Sequence, residues 1–426
     1  MPHPDFIRNI LIALSLVSFL GMFVRPFWGV VSYMMIMMLR PGLYIPFLGA
    51  LRIEFSVGIA VLLFIFISGR IIKIKERKSL PVKWLFILFG VMSLSMVQAM
   101  DVDTSWLRLN EFIKVLFFFV MIVTLTDDQK DCEILLFLFG MATAMFAYEA
   151  IYNYMTGNIV ESLDTSQRLN YATTEQGMGS GHVALANLCN QALAVVWYIG
   201  VCHEKLIMKL SGIVLFGFLL TGVIVSGSRG GFIGIGALAV CLIVFSPNKV
   251  KMGVSLIIAC FTLAILNPGY FSFMKHIQVI GSGDVSTNSR IMGLQHGFEM
   301  LLRRPLLGVG PGCYPIARRA WFGWGLWSHN LYGELMGDLG IAGVIAYYKF
   351  LSSYLKEAFQ MKMENMGKLK TTNFYNAIIV ATIVRLVMGM GSHSLYIFFW
   401  YMMAGLIIVA SNGQKNTEYQ SEHFRS

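Results

Sequence analysis

His329-Asn330, then nine residues, then Gly340-Ile341-Ala342-Gly343 sets an imidazole where a long polar segment runs into an apolar one. A neutral imidazole can take a proton from a hydroxyl, because its unperturbed pKa lies near neutral pH. Glu334 and Asp338 follow at about one-turn spacings and could orient it. A histidine that only caps the next helix at a membrane–water boundary fits the same spacing. Ser226-Gly227-Ser228-Arg229-Gly230-Gly231 lies between two apolar runs. Its glycines let backbone approach a ligand closely, and the Arg229 fork suits phosphate. The competing reading is an arginine snorkelling at a helix end.

Arg290 opens a stretch, Ser289 to Leu302, in which Ile291, Leu294, Phe298 and Leu301 recur at helical spacing. That pattern predicts an amphipathic helix capped by Asn288 or Ser289 and ended by Pro305. At such a helix start, Arg290 and the terminal N–H groups could bind an anion together; a solvated loop charge is the alternative. Arg385 lies within an apolar run, which makes it a functional candidate or the structural partner of Glu149, another charge inside a span. Arg168 and Arg303 are further candidates for an anion, and Asn330 and Trp327 for the rest of a substrate. Trp321, Phe322, Trp324 and Trp327 fit an interfacial aromatic belt or a sugar-stacking surface. His393 near the outer end of the Arg385 span reads as a second polar contact or as interfacial packing. No Walker A motif and no His/Cys/Asp cluster at metal-ligand spacing is present, so ATP is not implied. No cofactor is expected and no metal site is assigned.

These groups need a scaffold, and composition says which. Only 13% of the 426 residues are charged and 56% are hydrophobic. Soluble domains carry about 25% charge. Apolar runs recur near 8–24, 28–40, 53–68, 83–98, 105–125, 133–155, 181–201, 205–225, 231–246, 249–266, 330–352, 374–391 and 394–411. Most are about long enough to cross some 30 Å of hydrocarbon, and 28–40 is short. The expectation is a single all-α integral membrane domain over 1–426 with about 12 transmembrane helices, 8–40 making one net crossing because Arg40-Pro41-Gly42 breaks it. The net charge of +10 follows from basic loops, Arg70 to Lys83 and Lys356 to Lys370, that mark the cytoplasmic side, so nucleic acid is not a partner. Chaining outward puts 157–180 and the long loop 267–328 on the outer side. The long loop carries six cations against two acids, which invites an anionic ligand. The six cysteines form no C-x-x-C pair and no disulfide framework.

Three patterns together resemble the O-antigen ligase/polymerase family of bacterial envelope glycosyltransferases. They are Ser228-Arg229-Gly230-Gly231, then Ser289-Arg290 running on to Pro305-Leu306-Leu307-Gly308-Val309-Gly310-Pro311-Gly312, and then His329-Asn330-x9-Gly340-x-x-Gly343. The likeness is most specific over about 220–345. Arg25-Pro26-Phe27-Trp28-Gly29 is similar to an O-glycosylation ligase subgroup. The resemblance implies a GT-C-like multispan body with a large periplasmic loop, here 267–328, in the bacterial inner membrane. It implies metal-independent transfer of a glycan from undecaprenyl diphosphate to an acceptor hydroxyl, which lies on lipid A-core, another glycan or a protein. Arg229 and Arg290 would hold the diphosphate, and His329 would be the general base. Inversion at the anomeric carbon is expected, since no obvious covalent nucleophile is present. A repeat-unit polymerase remains the alternative in the same class. A transporter, with a midplane site around Glu149 and Arg385, and a structural membrane scaffold are the alternatives from other classes.

Overall fold

A computed structural model describes residues 3–77, 79–156, 160–161, 169–170, 181–266 and 285–423. It is a bundle of helices; the two-residue antiparallel pairing of Val160–Glu161 with Leu169–Asn170 is the exception among the described residues. Helices Pro4–Gly21 (α1), Phe27–Leu39 (α2), Ile53–Ile67 (α3), Leu80–Ser95 (α4), Val102–Leu125 (α5) and Gln129–Met155 (α6) form its first half. His182–Val196 (α7), Leu206–Val225 (α8), Arg229–Phe245 (α9) and Lys249–Leu266 (α10) follow. The rest comprises Val285–Arg303 (α11), Tyr314–Phe322 (α12), Leu331–Glu364 (α13), Leu369–Met388 (α14) and Phe398–His423 (α15). Six of the described helical stretches are long and apolar enough to cross a membrane: Pro4–Gly21, Leu80–Gln98, Gln129–Met155, His182–Val201, Leu206–Val225 and Leu369–Gly391. The protein is therefore a multi-pass membrane protein.

The 8–40 stretch departs from expectation. α1 and α2 are separate helices lying side by side in opposite directions. At one end Arg25 bonds Asp131 at the start of α6 (2.5 Å), and at the other His3 packs on Tyr152 near the end of α6 (5.5 Å between centroids). α2 is only about 20 Å long at 1.5 Å per residue. It can be short because almost every residue in it is buried by other helices and need not match the thickness of lipid.

Polar contacts sort the bundle into two ends. At one, Arg70 and Lys73 pair with Asp127, Lys370 pairs with Glu133 (3.0 Å), and Asn365 bonds Gln414 (2.9 Å). Arg77 also bonds the carbonyls of Val123 and Thr126 there (2.6 and 3.1 Å). The basic loops and the polar stretch after Ser411 thus share that end. At the other end lie Arg40, Arg52, Arg108, His329 and the connection from α14 to α15.

Candidate functional site

The Pro305–Gly312 loop and the Gly340 region are two halves of one device. Gly340 has φ 61° and ψ −161°, which breaks α13 and strips backbone groups of their helical partners. Glycine adopts this geometry without a Cβ clash. The loop supplies the missing bonds. Ile341 N–H donates to the Pro305 carbonyl (2.8 Å) and Ala342 N–H to Leu306 (3.2 Å), while Val309 N–H donates to Gly337 (2.9 Å) and Gly310 N–H to Asp338 (3.0 Å). The Asp338 carboxylate accepts from the N–H groups of Gly312 and Tyr314 (2.8 and 2.9 Å) and from the Tyr396 hydroxyl (2.8 Å). The turn that follows α4 closes the other side, with Gln98 donating to Gly308 (3.0 Å) and Met100 N–H to Val309 (2.9 Å).

α11 crosses the first turn of α13 on glycines. Gly293 and Gly297 on α11 meet Ser328 and Gly333 so closely that a Cβ on either would overlap backbone. Small residues four apart allow such approach. α11 begins at Val285, earlier than the expected cap at Asn288 or Ser289. Arg290 therefore sits in the second turn, where backbone N–H groups already have helical partners. The expected anion site combining Arg290 with helix-terminal N–H groups is not formed, because those groups lie a turn earlier. A methyl group at Gly391 would lie 3.6 Å from Arg290 Nε.

His329 precedes α13 with a left-handed φ of 46°. Asn330 fixes it from the following position. Its side-chain oxygen accepts from the N–H groups of Tyr332 and Gly333 (2.9 and 3.1 Å), capping α13, and its amide donates to the Met390 carbonyl (3.1 Å). The His329 ring packs 5.7 Å from His393, and Trp327 stacks on His393 at 5.4 Å. One edge of His329 is open to solvent. The protein bulk around it, then His393, Arg290 and Arg318, push its pKa down to about 4. The ring is therefore neutral at pH 7, the form a general base requires. Burial, then Arg108 and Arg385, likewise push His393 down to about 4.

Glu334 and Asp338 do not orient His329 directly. Glu334 accepts from the N–H groups of Ser394 and Leu395 (2.9 and 3.1 Å) and so fixes the backbone beside His393. Arg318, wholly buried, donates to His296 (3.0 Å) and to the Leu326 and Trp327 carbonyls (3.3 and 3.0 Å), which sets Trp327.

Arg229 stands in the first turn of α9, capped by Ser228. That turn packs on α7, where Asn190 donates to the Gly231 carbonyl (3.0 Å). It also packs on α14, where a Cβ at Gly234 would strike Met388. α9 thus joins the site two residues before the Met390 carbonyl that holds Asn330. Two other candidates stand apart. Arg303 lies under the Trp321 and Phe322 rings (5.0 and 5.1 Å), about 20 Å along α11 from Arg290. Arg385 is 2% exposed, sealed behind Glu334, and its Nε and one terminal nitrogen lack hydrogen-bond partners. It does not pair with Glu149, which faces Arg8 (3.6 Å). Arg168 lies outside the described residues.

Sequence reasoning missed the hub itself. Met388 to Tyr396 touches α9, α11, α13 and the His329 loop, yet only His393 stood out, as packing or a second polar contact. It also missed a cavity of about 860 Å³ beside the hub, lined by Glu334, His393, Ser394 and Tyr396 and by residues from the first third of the chain. Neither Arg229, Arg290 and His329 nor Glu149 and Arg385 line that cavity.

Residues 214–348 match the family model described as O-Antigen ligase. Over that segment, about a third of the chain, the protein is similar to the O-antigen ligase family. The segment spans Arg229, the α11–α13 crossing, the glycine loop and His329, so the three sequence patterns lie inside it. No curated protein matches the chain significantly. Among the described residues no group of three His, Cys, Asp or Glu side chains could hold a metal ion.

Proposed function

We propose that the protein is an O-antigen ligase-like glycosyltransferase that moves a glycan from undecaprenyl diphosphate to an acceptor hydroxyl. The reading rests on the match to the O-antigen ligase domain over the segment that sets Arg290 beside a neutral His329. His329 takes the proton of the acceptor hydroxyl as its oxygen attacks the anomeric carbon. The bond from that carbon to the diphosphate oxygen breaks, and undecaprenyl diphosphate leaves with the bonding pair. Arg229 and Arg290 stabilise the charge that develops on the leaving group, an effect that accelerates only if it strengthens in the transition state. Direct displacement inverts the anomeric configuration. Asn330 acts by holding His329, and Trp327 offers a ring face to a sugar.

The chain lies in a bacterial inner membrane with about a dozen crossings. The end bearing Arg70, Lys73 and Lys370 faces the cytoplasm by the positive-inside rule, and the His329 end, with the loop 267–328, faces the periplasm. A transporter is disfavoured because the cavity lies at one end, whereas transporter sites lie at the midplane.

Glycan transfer in a deletion strain complemented with wild type, His329→Ala or Arg229→Ala, at matched expression, tests this reading. Full-length glycan stranded on undecaprenyl diphosphate in the deletion and in both variants supports a ligase. Accumulation of single repeat units makes the protein a polymerase. Normal transfer in every strain refutes both.

A further inference from the structure

The cavity beside His393 has a lining that the transfer mechanism does not use. Arg40, Arg52, Arg108 and Lys114 enter it together with Glu54 and Glu111. All six precede residue 115 and so lie outside the O-antigen ligase match. Arg108 is bound to Glu111 (2.7 Å) and lies over the Trp327 and Tyr396 rings (5.0 and 5.1 Å), which makes it the bridge to the hub. Arg52 and Lys114 are exposed to the cavity side of the bundle. Glu54 is half-buried in the field of Arg40 and Lys114. The volume is near the top of the ~300–1,000 Å³ range of small-molecule sites.

Backbone strain marks the same place. Among the described residues, three non-glycine residues have positive φ: Arg40 (47°), Arg52 (45°) and His329 (46°). Such strained backbone persists where the surrounding structure enforces it, commonly at binding sites. Two of the three line the cavity, and the third, His329, has its ring 5.7 Å from that of His393, which lines it.

We propose that this cavity binds the acceptor as a saccharide bearing an anionic substituent, phosphate or carboxylate, and presents its hydroxyl to His329 past His393. The mixed lining fits that chemistry. Guanidinium and ammonium groups take the anion, Glu54 accepts sugar hydroxyls, and Tyr396 supplies a ring face. The proposal rests on His329 being the base for glycan transfer.

The test uses the full chain in phosphatidylcholine nanodiscs, with glucose 6-phosphate as the probe and ligand-observed NMR as the readout. Glucose 6-phosphate should bind, and glucose should bind at least tenfold more weakly. The Arg52→Gln/Lys114→Gln double variant should weaken glucose 6-phosphate at least tenfold. Arg52→Lys/Lys114→Arg should retain it, which separates lost charge from misfolding, and Arg229→Gln should leave it unchanged. The proposal is overturned by absence of binding to wild type, by equal binding to the double glutamine variant, or by loss in Arg229→Gln, which would place the anion with the donor. Displacement of the probe by nanodiscs containing phosphatidylglycerol would also overturn it, assigning the cavity to a lipid headgroup. Failure of the base reading shows elsewhere, as normal cellular transfer by His329→Ala, and leaves this binding result unaltered.

Discussion

The imidazoles of His329 and His393 lie 5.7 Å apart, one on each side of the junction between the O-antigen ligase segment and the connection from α14 to α15. Arg290 and Arg318 act on the first, and Arg108 and Arg385 on the second. Burial first, and then the cations on both sides, disfavour a proton on either ring, so the pair is neutral over the physiological range.

This fixes the sign of the pH dependence. With its pKa lowered to about 4, His329 stays a competent base as pH falls from 8 to about 5. An unperturbed histidine would lose half of that form near pH 6.5. Initial rates of glycan transfer in proteoliposomes should therefore be flat over that window and drop near pH 4. Arg290→Gln removes one of the cations and should move the drop upward. A midpoint near 6.5 in the wild type would refute the assignment. His329→Ala should lose about 10²–10⁴-fold in rate.

Arg290 and Arg303 share α11 but not a role. Arg290→Ala should reduce transfer about 10²–10³-fold, the usual cost of deleting a group that stabilises developing charge. Arg303→Ala removes contacts with Trp321 and Phe322 and should leave the rate within a few-fold of wild type. Parallel single-turnover assays decide this. Equal losses would mean that the whole basic face of α11, and not its Arg290 end, handles the diphosphate.

The helices and the patterned glycines were legible in the sequence because both reflect local rules. Apolar run length predicts spans, and a glycine between apolar residues predicts a break or a close approach. The pairing of the Pro305–Gly312 loop with the Gly340 break was not legible. It depends on backbone bonds between segments some thirty residues apart, and no side chain announces them. Arg40, Arg52 and Arg108 were missed for a related reason: each looks like an ordinary charge at a helix end. Only packing brings them to one cavity with His393. Arg385 misled in the opposite direction, since an intramembrane charge attracts a functional reading and this one is enclosed behind Glu334.

The glycine crossing gives a test that alters no charged or catalytic group. Gly297→Ala puts a methyl group into the Gly333 backbone, which rigid helix backbones can relieve only by moving apart. α11 should shift and carry Arg290 away from His329. Transfer should fall at least tenfold, and the pKa of His329, followed by NMR, should rise as the guanidinium recedes. An unchanged His329 titration with a lower rate would show that the crossing acts by another route.

Asn330 separates positioning from contact with substrate. Its side-chain oxygen caps α13 and its amide ties that cap to Met390 (3.1 Å), so one residue sets both His329 and the hub. Asn330→Ala removes the cap and should cost about 1 kcal/mol of stability, within the 0.5–2 kcal/mol range for lost caps. Asn330→Asp keeps an accepting oxygen for Tyr332 and Gly333 but cannot donate to Met390. It should restore the unfolding temperature in detergent while leaving transfer impaired, because the tie that orients His329 across the hub stays broken. If the aspartate variant recovers both stability and rate, capping alone is the role of this residue, and the link to Met390 does not position the base.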